Sequence, residues 1–376
     1  MKLIYIANAR IPTEKGHGWQ IMKMCETFAL AGMDVELVVP KIANNIQESP
    51  FNYYGVQKNF KIRFLPCLNW TYFRFLPGRL AFQIQAVSFL FFVRLFGIVK
   101  KSDILYTREP LAGLFFRDFI FEIHYLSRRY SFIYKKSRQK ARRLIVITNL
   151  LKQILINEGI DGDKILVAPD GVDLNEFNIE ISQEQARRAL DLPLDKRIIL
   201  YTGSFYLYDW KGIDILLASA GYFSNNELFV LVGGSENEIK EIKKKYNSKN
   251  IILINHKPHY KIPIYLRAAD ILVLPNKKGN DISEKFTSPL KLFEYMASRR
   301  PIVASDLPSL REILNQDNAV LAEPGSEASL ATGIHKIIDN PDQAAKISQA
   351  AFQNVQVYSW EQRVKSIINF ISQKNV

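Results

Sequence analysis

Two lysines stand where a cation is least expected. Lys291 falls in the first turn of a helix announced by Ser288 and Pro289, a capping residue followed by one suited to the first helical position. The positive end of a helix dipole disfavours a lysine there. Lys211, followed by Gly212, falls where another helix begins, just after the apolar run 197–203 that ends at Gly203. In open α/β sheets a ligand lies at the carboxyl ends of the strands, beside helix amino termini. Two converging lysines and the free amides of those helices would make a receptacle for a diphosphate. The alternative is a pair of solvated lysines, one of them matched to Glu294. Glu294 follows Lys291 by three residues and shares its side of the helix, where a carboxylate can accept two ribose hydroxyls. Leu290, Phe293 and Ala297 form the opposite, core-facing stripe. These roles fit a nucleotide. The D-x-D pattern Asp161-Gly162-Asp163 lies far along the chain and reads as a turn, so metal-independent chemistry is expected, with no metal and no cofactor.

The elements that must position these residues alternate along the whole chain. Strand-like runs at 2–7, 34–40, 103–107, 119–124, 143–148 and 164–169, and then at 197–203, 227–234, 250–255, 270–275 and 301–305, are separated by helical stretches such as 19–31. That is the pattern of parallel α/β units, here two Rossmann-like sheets in succession. At 376 residues the chain is too long for one ordinary core. The Pro, Asp and Gly of 168–177 mark the connector.

Hydrophobic content of 48% and charged content of 23% are those of a globular protein. Cys25 and Cys67 suggest neither a disulfide framework nor a zinc site, and the opening residues read as a strand rather than a leader, so a cytoplasmic protein is expected. The net charge of +13 is lopsided: residues 1–168 hold 25 Lys and Arg against 12 Asp and Glu, and residues 169–376 hold 25 against 25. Such a field favours nucleic acid, an acidic membrane or a phosphorylated substrate, or serves solubility. The stretch 79–101 is long enough for a membrane span, but Gln83, Gln85 and Arg94 interrupt it. A buried or interfacial helix is expected, near the bases and aromatics of 58–101: Lys58, Lys61, Arg63, Arg74, Arg79, Lys100 and Lys101 with Trp70, Tyr72, Phe73 and Phe75. These predict a protein peripheral to the inner face of the cell membrane.

Taken in order, "GHGWQIMKMCETFALAGMDVELVVP", "VITNLLKQILINEGIDGDKILVAPDGVDLNEF", "YTGSFYLYDWKGIDILLASA" and "SPLKLFEYMASRRPIVASDLPSLREIL" resemble family-4 glycosyltransferases over nearly the whole chain. The resemblance implies an α/β protein of the GT-B fold, with two Rossmann-like domains facing across a cleft. An acceptor-binding domain would span 1–168, a nucleotide-sugar-binding domain 169–356, and a C-terminal helix of about 357–376 would cross back to the first. It implies retaining transfer of a sugar from a nucleotide-diphosphate donor to a saccharide or lipid-linked saccharide acceptor. Lys211 and Lys291 would hold the diphosphate, Glu294 the ribose, and His124 would lie near the donor sugar. Ser288 and Leu290 would offer backbone amides, with Gly16 approaching from the other domain and Gly203 ending the strand. Two departures stand out. Phe286 occupies the place of the family's first paired glutamate, leaving Asp281 or Glu284 as substitutes, and Ser204 replaces a frequent arginine.

An oxidoreductase would need G-x-G-x-x-G directly after the first strand, whereas Gly16 and Gly18 come well beyond it. A non-catalytic binder of anionic glycan or nucleic acid rests on charge alone. No nucleic-acid module is recognisable, so no nucleic-acid partner is expected.

Overall fold

The computed structural model describes residues 1–69, 77–126, 131–205, 209–246 and 248–373. Trp70, Tyr72, Phe73, Arg74 and Phe75, which entered the membrane reading, lie outside them, as does the side chain of Arg79. The chain forms two compact units, Met1–Pro169 with Trp360–Val376, and Asp170–Ser359.

The first unit is built on seven parallel strands: β1 (Lys2–Ile6), β2 (Asp34–Pro40), β3 (Lys61–Leu65), β4 (Ile104–Thr107), β5 (Ile120–Ile123), β6 (Arg143–Val146) and β7 (Ile165–Val167). Their order is β3-β2-β1-β4-β5-β6-β7. The central strands are mainly apolar runs, broken by the buried Glu36 of β2 and Glu122 of β5, because helices cover both faces of such a sheet. β3 went unread in the sequence: it is an edge strand in which Lys61 and Arg63 face out, and Arg63 reaches Glu36 on β2. Lys2 binds the same carboxylate at 2.9 Å. The stretch 79–101 folds as the helix Gly78–Leu95, and among the described residues no helix is long and apolar enough to cross a membrane.

A buried carboxylate organises this unit. Glu122, on β5, is 1% exposed. Its Oε1 accepts from Arg363 Nη2 at 2.9 Å and from Gln20 Nε2 at 3.2 Å, and its Oε2 from the Tyr106 hydroxyl at 2.5 Å. Arg363 lies on the C-terminal helix Trp360–Ser372, and its Nε donates to the Pro169 carbonyl at 2.8 Å. Trp360 packs edge-on against Trp19 of the helix Gly16–Leu30, ring centres 5.6 Å apart. Burial alone would lift the Glu122 carboxyl, but Arg363, His124 and Arg108 outweigh it and hold the group well below its ordinary range.

The second unit has six parallel strands: β8 (Arg197–Thr202), β9 (Glu227–Gly234), β10 (Ile251–Asn255), β11 (Ile271–Leu274), β12 (Ile302–Ser305) and β13 (Val320–Ala322), ordered β10-β9-β8-β11-β12-β13. Alternate side chains feed two cores. Leu200, Val230, Leu272 and Ala304 join one, and Ile199, Leu231, Val273 and Val303 the other. β13, three residues at the sheet edge, is too short to leave a periodic signal.

Removing one partner of a buried ion pair strands the other. Arg363→Met should therefore lower the stability of the first unit by about 3–5 kcal/mol. Denaturant unfolding followed through the tryptophans measures this, and a loss below about 1 kcal/mol, the scale of an exposed pair, would contradict the role given to Glu122.

Candidate active site

In the second unit the strand order reverses between β8, whose other neighbour is β9, and β11. A crevice at the carboxyl ends of the strands is expected there. β8 ends at Thr202, and the helix Leu290–Ala297 grips that end twice. The Thr202 amide donates to the Tyr295 hydroxyl at 2.8 Å, and Lys291 Nζ donates to the Thr202 carbonyl at 3.2 Å. The Lys291 ammonium also stands 3.7 Å above the Tyr201 ring, a cation–π contact. Gly203 follows at the end of the strand in a conformation that favours glycine. Its φ is +127°, and a side chain there would stand 3.4 Å from Lys291 Nζ.

Lys211 ends a short turn, Asp209–Lys211, and its Nζ donates to the Ser204 hydroxyl. Gly212 then adopts a left-handed conformation, φ +69°, before the helix Ile213–Ser219. A Cβ on Gly212 would fall 1.8 Å from the Pro275 carbonyl, so glycine lets the turn lie on the end of β11. The two lysines are thus brought to one place, Lys291 on the β8 end and Lys211 beside Ser204. Burial pushes Lys211 down to about 8, and burial with the charge of Lys211 pushes Lys291 well below the ordinary lysine range. Among the described residues no carboxylate lies within ion-pair distance of Lys291.

Three readings of the helix start need correction. Pro289 has extended backbone angles, φ −74° and ψ 129°, so the helix begins one residue later and Pro289 occupies the capping position. Ser288 is displaced from it, and its hydroxyl instead accepts from the Asp170 amide at 3.0 Å. Leu290 is the first helical residue, half-buried rather than part of a core stripe, while Leu292, Phe293, Tyr295, Met296 and Ala297 are all buried. Lys291 escapes the unfavourable end of the dipole by turning to the Thr202 carbonyl and the Tyr201 ring.

Glu294 is buried and held by a residue not foreseen in the sequence. Its Oε1 accepts from His259 Nε2 at 2.9 Å, and His259 Nδ1 lies 3.3 Å from Glu176 Oε1. Burial opposes a charge on His259, yet the two carboxylates more than compensate and raise it to about 9, so the ring is an imidazolium at neutral pH. Oε2 of Glu294 makes no hydrogen bond among the described residues. Phe286 is buried, and both proposed substitutes are engaged locally: Asp281 pairs with Lys285 at 2.9 Å, and Glu284 accepts from the Gly279 amide at 2.5 Å. Asn276, just beyond β11, is 1% exposed, and neither atom of its amide has a partner among the described residues. Such an amide is costly unless something else occupies its hydrogen bonds.

In the first unit His124 follows β5 and its Nε2 lies 2.6 Å from Glu122 Oε1, so the ring is tied to the buried network. Gly16 opens the helix Gly16–Leu30 and is exposed. Glu109, unnoticed in the sequence, lies two residues beyond β4, where burial raises its carboxyl to about 7. Asp161 caps the turn Gly162–Lys164, accepting from the Asp163 amide at 2.9 Å, as turn chemistry requires. Among the described residues no group of three or more His, Cys, Asp or Glu is placed to hold a metal.

Comparison with solved structures defines the class. The chain superposes on sucrose-phosphate synthase from Thermosynechococcus elongatus with a TM-score of 0.78 and 20% identity, covering 98% of both chains. On Anabaena HepE in complex with UDP the score is 0.75 at 15% identity, covering 99% of this chain and all of that one. The fold is GT-B: two Rossmann-like units and a C-terminal helix. Residues 182–354 match the model of the glycosyl transferases group 1 family, and this region holds Lys211, His259, Asn276, Lys291 and Glu294. TuaC of Bacillus subtilis (strain 168), named for teichuronic acid biosynthesis, is 28% identical over 183 residues, 47% of this chain and 43% of TuaC. A D-inositol 3-phosphate glycosyltransferase of Xylanimonas cellulosilytica is 24% identical over 229 residues, 57% of this chain and 52% of the relative. The chain thus spans about half the length of the curated relatives it matches.

The lowered lysines give the site a pH signature. An anion between them restores the protonated forms, so binding above about pH 8 must take up protons. Affinity for a nucleoside diphosphate should fall as pH rises through about 8 to 9, and Lys211→Arg should flatten part of the slope, since a guanidinium stays charged. Calorimetry in buffers of different ionisation enthalpy reads both. Constant affinity over that range with no proton uptake would contradict the arrangement.

Proposed function

We propose that the chain transfers a sugar from a nucleoside-diphosphate sugar to a hydroxyl of a saccharide or lipid-linked saccharide, with retention of configuration and without a metal. The observation that carries this reading is the pair Lys211 and Lys291 at the end of β8. Departure of the diphosphate is the demanding event, and cations fixed before the reaction stabilise its developing charge without reorganising. Lys291 is held by the Thr202 carbonyl and the Tyr201 ring, and Lys211 by Ser204, so both are placed in advance. Glu294, fixed through His259, offers Oε2 to the ribose hydroxyls. The Asn276 amide, buried just beyond β11 without a partner among the described residues, is available to the phosphates or the sugar. Support for the donor comes from HepE, whose structures are described as complexes with UDP, with UDP and glucose, and with UDP-glucose. Support for a saccharide acceptor comes from WaaG, described as involved in lipopolysaccharide biosynthesis.

Lys291→Ala should lower turnover about 100-fold or more, as loss of one preorganised donor does elsewhere. Donor consumption with a panel of nucleotide sugars measures it, and unchanged turnover in a folded variant would rule the lysine out. Glu294→Gln should weaken the free nucleoside diphosphate at least several-fold, because the ribose belongs to the nucleotide and not to the sugar. Equal affinity in variant and wild type would give the carboxylate another task. A protein that binds nucleotide sugars and never turns them over would be a binding module.

A further inference from the structure

The helix Gly78–Leu95 is apolar on two sides. Ala81, Ala86, Phe89, Leu90 and Val93 are buried, together with two polar residues: Gln85 donates to Asn8 Oδ1 at 2.9 Å, and Ser88 accepts from the Leu68 amide at 2.9 Å. Its outer face is apolar. Leu80, Val87, Phe91 and Leu95 are 45%, 40%, 50% and 60% exposed, and their spacing of seven, four and four residues puts them on one stripe. Ile84, half-buried, falls in the gap of that stripe, and Arg94 flanks it. Phe96 continues the exposed surface at 52%, and on the neighbouring edge strand and its exit Phe64 and Leu68 are 44% and 48% exposed. Single exposed apolar side chains are ordinary; a continuous helical stripe of them marks an interaction surface.

The charge around the stripe identifies its partner. Residues 49–102 carry eight Lys and Arg and not one Asp or Glu. A second copy of this chain seated on the same face would set those bases against one another. An acidic protein would satisfy the bases but leaves a flat apolar stripe to be matched. A bilayer containing anionic lipid satisfies both, with phosphates for the bases and acyl chains for Leu80, Val87, Phe91 and Leu95. We infer that the outer face of Gly78–Leu95 docks the protein on an anionic membrane surface, lying in the interface without crossing it. In a cell this is the cytoplasmic leaflet, whose surface potential is negative. The inference stands independently of the proposed transfer reaction.

Vesicle flotation tests it, using phosphatidylcholine vesicles with and without phosphatidylglycerol at low and moderate salt. Wild type should float with the anionic vesicles and stay behind with neutral ones at moderate salt. Lys58, Lys61, Lys100 and Lys101 are exposed, and replacing all four with Gln should reduce partitioning on the order of 100-fold or more. Val87→Ser, Phe91→Ser and Leu95→Ser together should reduce it about tenfold or more at unchanged charge. All three residues are exposed, so circular dichroism and unfolding should match wild type. Equal recovery of wild type on neutral and anionic vesicles would overturn the inference, as would a serine variant that floats like wild type. So would a wild-type dimer in solution that the serine changes convert to a monomer, since the stripe would then be a subunit interface.

Discussion

Two ammonium groups are forced together in a place that solvates them poorly, and the geometry of the second unit answers to that constraint. Burial lowers the proton affinity of both Lys211 and Lys291, and the charge of Lys211 lowers that of Lys291 further. In the free protein the cost is partly offset by a carbonyl, an aromatic face and a hydroxyl, and by the charges of Glu294 near Lys291 and Glu238 near Lys211. A diphosphate would supply two or more negative charges at once, the counter-charge that such a pair of cations suits. The local backbone serves the same end. Gly203 ends the strand with positive φ beside one lysine, and positive φ at Gly212 seats the turn of the other on the end of β11. Tyr295 fixes the strand end from the same helix that carries Lys291.

Each unit also contains a buried carboxylate in contact with a histidine, and the two are used differently. Glu122 lies within the first unit, where Arg363, Gln20 and Tyr106 share it and join the C-terminal helix to the sheet. Glu294 lies beside the lysines. His259 takes one of its oxygens, fixes the rotamer and leaves the other oxygen for a ligand. The histidine is held charged by Glu176, so a carboxylate that would otherwise draw on the lysines for its counter-charge has its own.

The central strands were legible because a parallel sheet buried on both faces writes itself as apolar runs. Two of the four edge strands were not: β3 alternates lysine and arginine with apolar residues, and β13 has three residues. Lys211, Lys291 and Glu294 could be singled out because each departs from what its local element prefers. The helix start was misjudged by one residue because Ser-Pro carries two compatible readings, and the extended angles of Pro289 decide between them. His259, Glu176 and Asn276 carried no local signal. His259 matters only through partners 35 and 83 positions away, and Asn276 only through the partners it lacks. The helix Gly78–Leu95 shows the same limit from the other side: its glutamines looked like interruptions of an apolar segment, whereas Gln85 is buried with Ala81, Phe89, Leu90 and Val93 and bonds to Asn8.

The most direct test of the lysine pair compares a nucleoside with its diphosphate by thermal unfolding of the intact protein. A ligand at 100 times its dissociation constant stabilises the folded state by about 2.7 kcal/mol, and a cradle that recognises the diphosphate should show this for at least one nucleoside diphosphate and not for the matching nucleoside at the same concentration. No shift with any nucleoside diphosphate, or equal shifts for nucleoside and diphosphate, would mean that Lys211 and Lys291 do not form an anion site.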